Sequence, residues 1–138
     1  MKFSNDYKEE FATMKTGRQI LKITEASYNE EYGCVSLKLT SKTGANLYKN
    51  FYIINDGEVT ESVKRALDFF AWKALGHRNT YEETDLIGHY VETDVILDDY
   101  QSERKNKKIY TIDLWETESA KGFAKGSADD IDLDAELG

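Results

Sequence analysis

The chain has 138 residues, a formal net charge of −8 at pH 7, 40% hydrophobic and 32% charged residues, one cysteine and no proline. That length fits one domain able to bury roughly 65–70% of its unfolded surface, so neither disulfides nor a structural metal is required, and Cys34 has no partner for an internal bridge. No basic stretch followed by an apolar run opens the sequence, and no segment approaches the roughly 20 apolar residues of a membrane span, so the reading is a soluble protein of the cytoplasm.

Residues 1–16 mix polar and aromatic side chains. Phe3, Tyr7 and Phe11 share one helical face and read as an N-terminal arm or lid. From Gly17 the periodicity changes. Leu21 and Ile23 alternate with Lys22 and Thr24 as a first strand running towards Tyr28, and residues 29–33 supply turn chemistry. Val35, Leu37 and Leu39 alternate with Ser36, Lys38 and Thr40, a period of two that separates an apolar from a polar face in a second strand. Residues 47–54, rich in aromatic and β-branched residues, make the third.

After Asn55, Asp56 and Gly57, the positions Val63, Leu67, Phe70 and Ala74 fall on one face of a helix that Gly76 ends. Phe69 and Trp72 sit off that stripe, as a broadened apolar face or a contact with another subunit. Residues 77–85 read as a loop, Val91 to Leu97 as a fourth strand, 98–107 as a charged hairpin connection, and 109–115 as a fifth strand with Ile112 and Leu114 opposite Trp115. The order β-β-β-α-β-β is that of an OB-fold, a five-stranded, partly open barrel with the helix at one end. A five-stranded sheet with the helix lying across one face fits the same pattern.

The expected organisation is therefore an arm at 1–16, the β-rich domain at 17–118 and a flexible acidic tail at 119–138. The tail holds Asp129, Asp130, Asp132, Asp134 and Glu136 with no base after Ser127, so the remainder is only mildly acidic. Its acids are interleaved with Ile131, Leu133 and Leu137, which gives a basic-rimmed pocket something to grip and suggests a docking peptide. The same charge can compete with DNA for a positive groove.

Enzyme signatures are missing: there is no phosphate loop, dinucleotide fingerprint or serine elbow. One cysteine with His77 and His89 does not make a zinc site, so no metal, cofactor or catalytic residue is expected. Asp94 with Glu103, Arg104 and Lys105 matches the spacing of some Mg²⁺ nucleases, but such triplets arise by chance at this charge density, and Glu103 falls at a hairpin tip instead of a rigid strand.

Single-strand binding needs aromatic faces for bases and cations for the backbone. Tyr48 and Tyr52 lie on one side of the third strand, and Trp115 on the outer side of the fifth. Lys38 and Lys49 accompany them, and Arg104, Lys105, Lys107 and Lys108 crowd the last connection. For the three rings, stacking on bases and packing in the core are both open; Tyr28, Tyr90 and Tyr110 read as core. The four clustered bases meet phosphates or guard a strand edge.

With the aromatic arm, the Gly17-led first strand, the helix between strands three and four, Leu86-Ile87-Gly88 before strand four and the acidic tail, the chain resembles the small single-stranded-DNA-binding proteins of phages and prophages of Gram-positive bacteria. The resemblance runs along nearly the full length. It implies an OB-fold, single-stranded DNA as ligand, homo-oligomers, and a tail that recruits replication or recombination proteins in the bacterial cell. The tail departs from the bacterial housekeeping pattern, which ends in an apolar residue after proline, because Gly138 follows Leu137 here. The competing reading is a phage-encoded acidic module that inhibits or recruits a host nucleic-acid enzyme, its charge imitating a phosphate backbone.

Overall fold

The computed structural model describes residues 1–5 and 13–123. Tyr7, Phe11 and the tail residues Asp129, Asp130, Ile131, Asp132, Leu133, Asp134 and Leu137 lie outside the described residues.

Five long strands form the frame: β1 (Gly17–Asn29), β2 (Cys34–Ser41), β3 (Asn46–Tyr52), β6 (Tyr90–Leu97) and β7 (Tyr110–Ala120). A two-residue ladder joins β4 (Ile54–Asn55) to β5 (Glu58–Val59), and the helices are α1 (Glu61–Ala74) and α2 (Asp99–Lys105). The large sheet is antiparallel throughout, in the order β3-β2-β1-β6-β7. Its two edge strands approach each other, so the sheet curls into a half-barrel. The domain is mainly β, as the alternating pattern requires, and its large sheet is curled.

The alternation sets which faces meet. Leu21, Ile23, Leu37, Leu39, Leu47, Phe51, Val91, Val95, Ile112 and Leu114 turn inward and are nearly inaccessible. Helix α1 adds Leu67, Phe70, Ala71 and Ala74, with the Phe70 ring centre 6.3 Å from that of Phe51. Burial of this kind stabilises by about 25 cal/mol per Å² of apolar surface. Met14, within the segment read as an arm, is buried in the same core. Helix α1 ends as expected: Gly76 is left-handed (φ 67°), and the His77 N–H donates to the Trp72 carbonyl at 2.7 Å.

Two breaks in pairing bend the sheet. Ile23 faces Leu39 but Glu25 faces Lys38, a bulge at Thr24, whose hydroxyl lies 2.9 Å from that of Thr40. Glu92 faces Glu118 but Asp94 faces Asp113, so Leu114, Trp115, Glu116 and Thr117 loop past buried Thr93. The Thr117 hydroxyl donates to that of Thr93 at 3.2 Å, and the Thr93 hydroxyl donates to the Asp113 carbonyl at 3.4 Å, so both buried hydroxyls are partnered at the interruption.

Three elements differ from the sequence expectation. The third strand stops at Tyr52, and Asp56 (φ 51°) with Gly57 (φ 79°) forms the tight turn of the small hairpin, an Asp-Gly signal read only as a boundary. The connection 98–107 contains α2, although it buries no residue. Capping holds it: Asp98 accepts from the Gln101 N–H at 3.0 Å, Arg104 and Lys105 occupy the last turn, and Asn106 is left-handed (φ 51°). Strand β7 continues through Ser119 and Ala120, which pair with Val91 and Tyr90, beyond the end read at residue 115.

Gly33 joins β1 to β2 with φ 60°, and an added Cβ would overlap the Ile54 side chain. Its carbonyl accepts from the Ile53 and Ile54 N–H groups at 2.8 and 3.2 Å, so the small hairpin is pinned to this turn. Gly33→Ala is expected to cost about 1–3 kcal/mol in a denaturant titration, from strain and overlap together.

Candidate nucleic-acid interface

On β3 the period of two places Leu47, Lys49 and Phe51 on the inner row and Tyr48, Asn50 and Tyr52 on the outer. Tyr48 is 63% exposed and Tyr52 56%, so neither ring is core. Residues directly opposite on adjacent strands share a face. Lys38 therefore flanks Tyr48, Ser36 flanks Asn50 and Cys34 flanks Tyr52.

Facing these tyrosines across a cleft of about 750 Å³ stands the arm formed by α2 and the residues after it. Its walls carry Tyr48, Lys49, Asn50 and Tyr52 on one side, and Arg104, Lys105, Lys107 and Lys108 on the other, with Gln101 between. The four bases have no ion-pair partner among the described residues, and Asp98 is the acid on the lining. The fold thus gathers three tyrosine rings, Tyr48, Tyr52 and the half-buried Tyr110, and five cations that the sequence scatters over 60 positions and more. A groove of this kind can track a polyanion while flat rings receive bases.

Three expected residues sit differently from the rest. Lys38 is outside this lining; its amine lies 3.9 Å from the Glu25 carboxylate on β1. Trp115 is 56% exposed but belongs to a smaller adjoining cleft, which it lines with Lys49, Asn50 and Tyr52. Its ring centre is 4.8 Å from that of Phe69, so the indole is seated on α1 while one part stays open. Lys49 points to the inner row, not outward beside the tyrosines, and its amine sits 5.5 Å from the centre of the Phe51 ring.

Burial lowers the pKa of Lys49 below the ordinary 10.5, and the charge of Asp98 opposes the shift. Through the window between the lowered value and 10.5 the unfolded chain holds more protons, so the folding penalty of this ammonium is relieved as pH rises. A phosphate beside the amine works the other way and holds its proton. Affinity for oligo-dT should therefore fall as pH climbs through that window, and Lys49→Arg, which stays charged, should flatten the fall. Anisotropy titrations on the two proteins between neutral and alkaline pH measure the difference.

Among the remaining aromatics, Tyr28 is 39% exposed instead of buried, Tyr90 and Tyr110 are half-buried, and Tyr110 packs on the core. Asp94 pairs with Arg18 at 3.7 Å and Glu103 lies exposed on α2; no group of three metal-ligating side chains occurs among the described residues. Sequence reasoning missed Gln101, because it had no α2, and the polar Thr111 on β7. The Asp98 cap and Asn106 were the available signals for the first. No protein-family model matches the chain, and no curated protein matches it either.

Proposed function

We propose that the protein binds single-stranded DNA without sequence preference. Tyr48, Tyr52 and Trp115 take bases by stacking, and Lys38, Lys49, Arg104, Lys105, Lys107 and Lys108 meet the phosphates. The observation that carries this reading is the β3–α2 cleft, where two exposed rings on a paired strand face four basic side chains that have no ion-pair partner among the described residues. Fold supports it as well. The strand order β3-β2-β1-β6-β7, with α1 between the third and fourth long strands, is the order of an OB-fold, which receives oligonucleotides on strands two and three and on the loops beside them. The connection carrying α2 corresponds to the last of those loops.

Coating of unpaired DNA in phage replication or recombination, self-association, and recruitment of partner proteins through the acidic segment complete the proposal. The resemblance and the composition of residues 119–138 support these parts.

In a Trp72→Phe background Trp115 is the sole indole, and oligo-dT should quench it saturably at low salt. Duplex of equal length should quench far less, because its bases offer no free faces. Absence of both quenching and a mobility shift at low salt overturns the reading in favour of an acidic protein-binding module.

A further inference from the structure

Both tryptophans of the chain border a second cleft, of about 810 Å³, bounded by α1, by residues 78–83 and by the adjoining ends of β1 and β2. Val35, Ile53, Leu67, Phe69, Trp72 and Trp115 make its walls apolar. Polar contacts in the rim brace the cleft: the Tyr81 hydroxyl donates to Asp68 Oδ1 at 2.6 Å, and Arg78 pairs with Asp85 at 3.3 Å. Burial and that bond to Asp68 push the Tyr81 phenol pKa upward, so the strut stays protonated wherever the fold persists. Trp72, 41% exposed, is held by the stacked His77 ring, 3.8 Å between centres. An open, braced groove of this apolarity calls for an occupant.

Residues 130–137 read Asp-Ile-Asp-Leu-Asp-Ala-Glu-Leu, a strict alternation. Extended, they carry every acid on one side and every apolar side chain on the other. Strand β7 delivers the chain to the right place, since the Ser119 hydroxyl donates to the Lys73 carbonyl at 2.6 Å, and the Lys73 amine meets Glu118 at 3.0 Å. That same amine lies 5.7 Å from the ring centres of both Phe69 and Trp72. From Phe123 to Asp130 an extended chain reaches about 25 Å, more than the roughly 21 Å length of α1.

Two further features fit an extended acidic peptide. The far edge of β1 is taken at Ile23, which bonds His89 and Gly88 through its N–H and carbonyl; from Glu25 to Asn29 the strand pairs with β2 alone among the described residues, so the stretch containing Tyr28, which lines the cleft, keeps a short open edge for strand addition. On the rim Lys64 is taken by Asp68 and Arg78 by Asp85, while Arg65 is exposed and has no ion-pair partner among the described residues. Glu82 and Glu83 on the opposite rim set the orientation, steering the acidic side of the peptide towards Arg65.

We infer that residues 130–137 of this chain dock in the α1 cleft as an extended strand, with Ile131 and Leu133 against Trp72 and Trp115 and the acids towards Arg65. The cleft lies apart from the α2 bases but shares Trp115 with the nucleic-acid reading, so the test also follows Trp72 by itself.

The test uses full-length protein and its own indoles. Against wild type, Ile131→Asp/Leu133→Asp should shift tryptophan emission to longer wavelength and raise acrylamide quenching, since it removes the apolar cover while adding acids. A synthetic peptide of residues 128–138 should reverse both effects, and a scrambled peptide of identical composition should not. Arg65→Glu, combined with the tail substitutions, should weaken that peptide several-fold. Identical quenching in wild type and the double variant overturns the inference, as does equal protection by the scrambled peptide. In a Trp115→Phe background, protection of Trp72 by oligo-dT but not by the peptide also overturns it and assigns the cleft to nucleic acid.

Discussion

Tyr48→Ala/Tyr52→Ala is expected to weaken oligo-dT binding at least about 30-fold, from roughly 1 kcal/mol or more of stacking lost per ring. Both rings stand on the outer row of β3, more than half exposed, so their removal leaves the core of Leu47 and Phe51 untouched. The variant should keep its thermal midpoint within a few degrees. Tyr48→Phe/Tyr52→Phe retains both flat faces and loses only hydroxyls, so it should bind nearly as wild type does. Anisotropy of a labelled oligo-dT at fixed salt measures all three proteins. Wild-type affinity in the alanine pair places the rings outside the binding surface.

Neutralising the α2 arm should change a different quantity. Each phosphate contact to a single strand adds about 0.7 to the slope of log affinity against log salt. Arg104→Gln, Lys105→Gln, Lys107→Gln and Lys108→Gln together should therefore flatten that slope by up to about 2.8. Between 50 and 200 mM salt, a binder using these bases with Lys38 and Lys49 should lose about 300-fold in affinity, and the quadruple variant about 7-fold. None of the four bases is ion-paired among the described residues, so relief of their mutual repulsion offsets the favourable charge that Arg104 and Lys105 place at the end of α2, and stability should stay close to that of wild type. An unchanged slope assigns the bases to edge protection instead.

The frame was legible because burial enforces it. Val35, Leu37 and Leu39 alternate because one face of β2 has no water, and Val63, Leu67, Phe70 and Ala74 recur because α1 has one apolar side to cover. Where burial is weak the pattern is silent. Helix α2 buries nothing, so only its caps, Asp98 and Asn106, announce it. The side of β3 holding Lys49 followed from Leu47 and Phe51 by parity, yet an amine on an inner row contradicts the usual rule that lysine faces water. It is tolerated where the barrel mouth is unsealed and the long stem lies over the Phe51 ring. The outward side of Trp115 followed from Ile112 and Leu114 by the same parity, whereas its seat against Phe69 was beyond periodicity. The slipped pairing around Thr93 and Thr117 breaks the alternation after Trp115, and such a slip depends on contacts far apart in the chain. The union of Tyr48, Tyr52 and the α2 bases likewise needs strand order, which local pattern does not encode.

That slip in β7 has a thermodynamic corollary. It leaves a single indole as common border of two hollows, one running to β3 and the other under α1. Whatever reaches that side chain first alters the surface offered to a second visitor, and reciprocity obliges the second to exert an equal effect on the first. Crosstalk between the two faces then requires no rearrangement of the sheet, only the choice of neighbour made by Trp115.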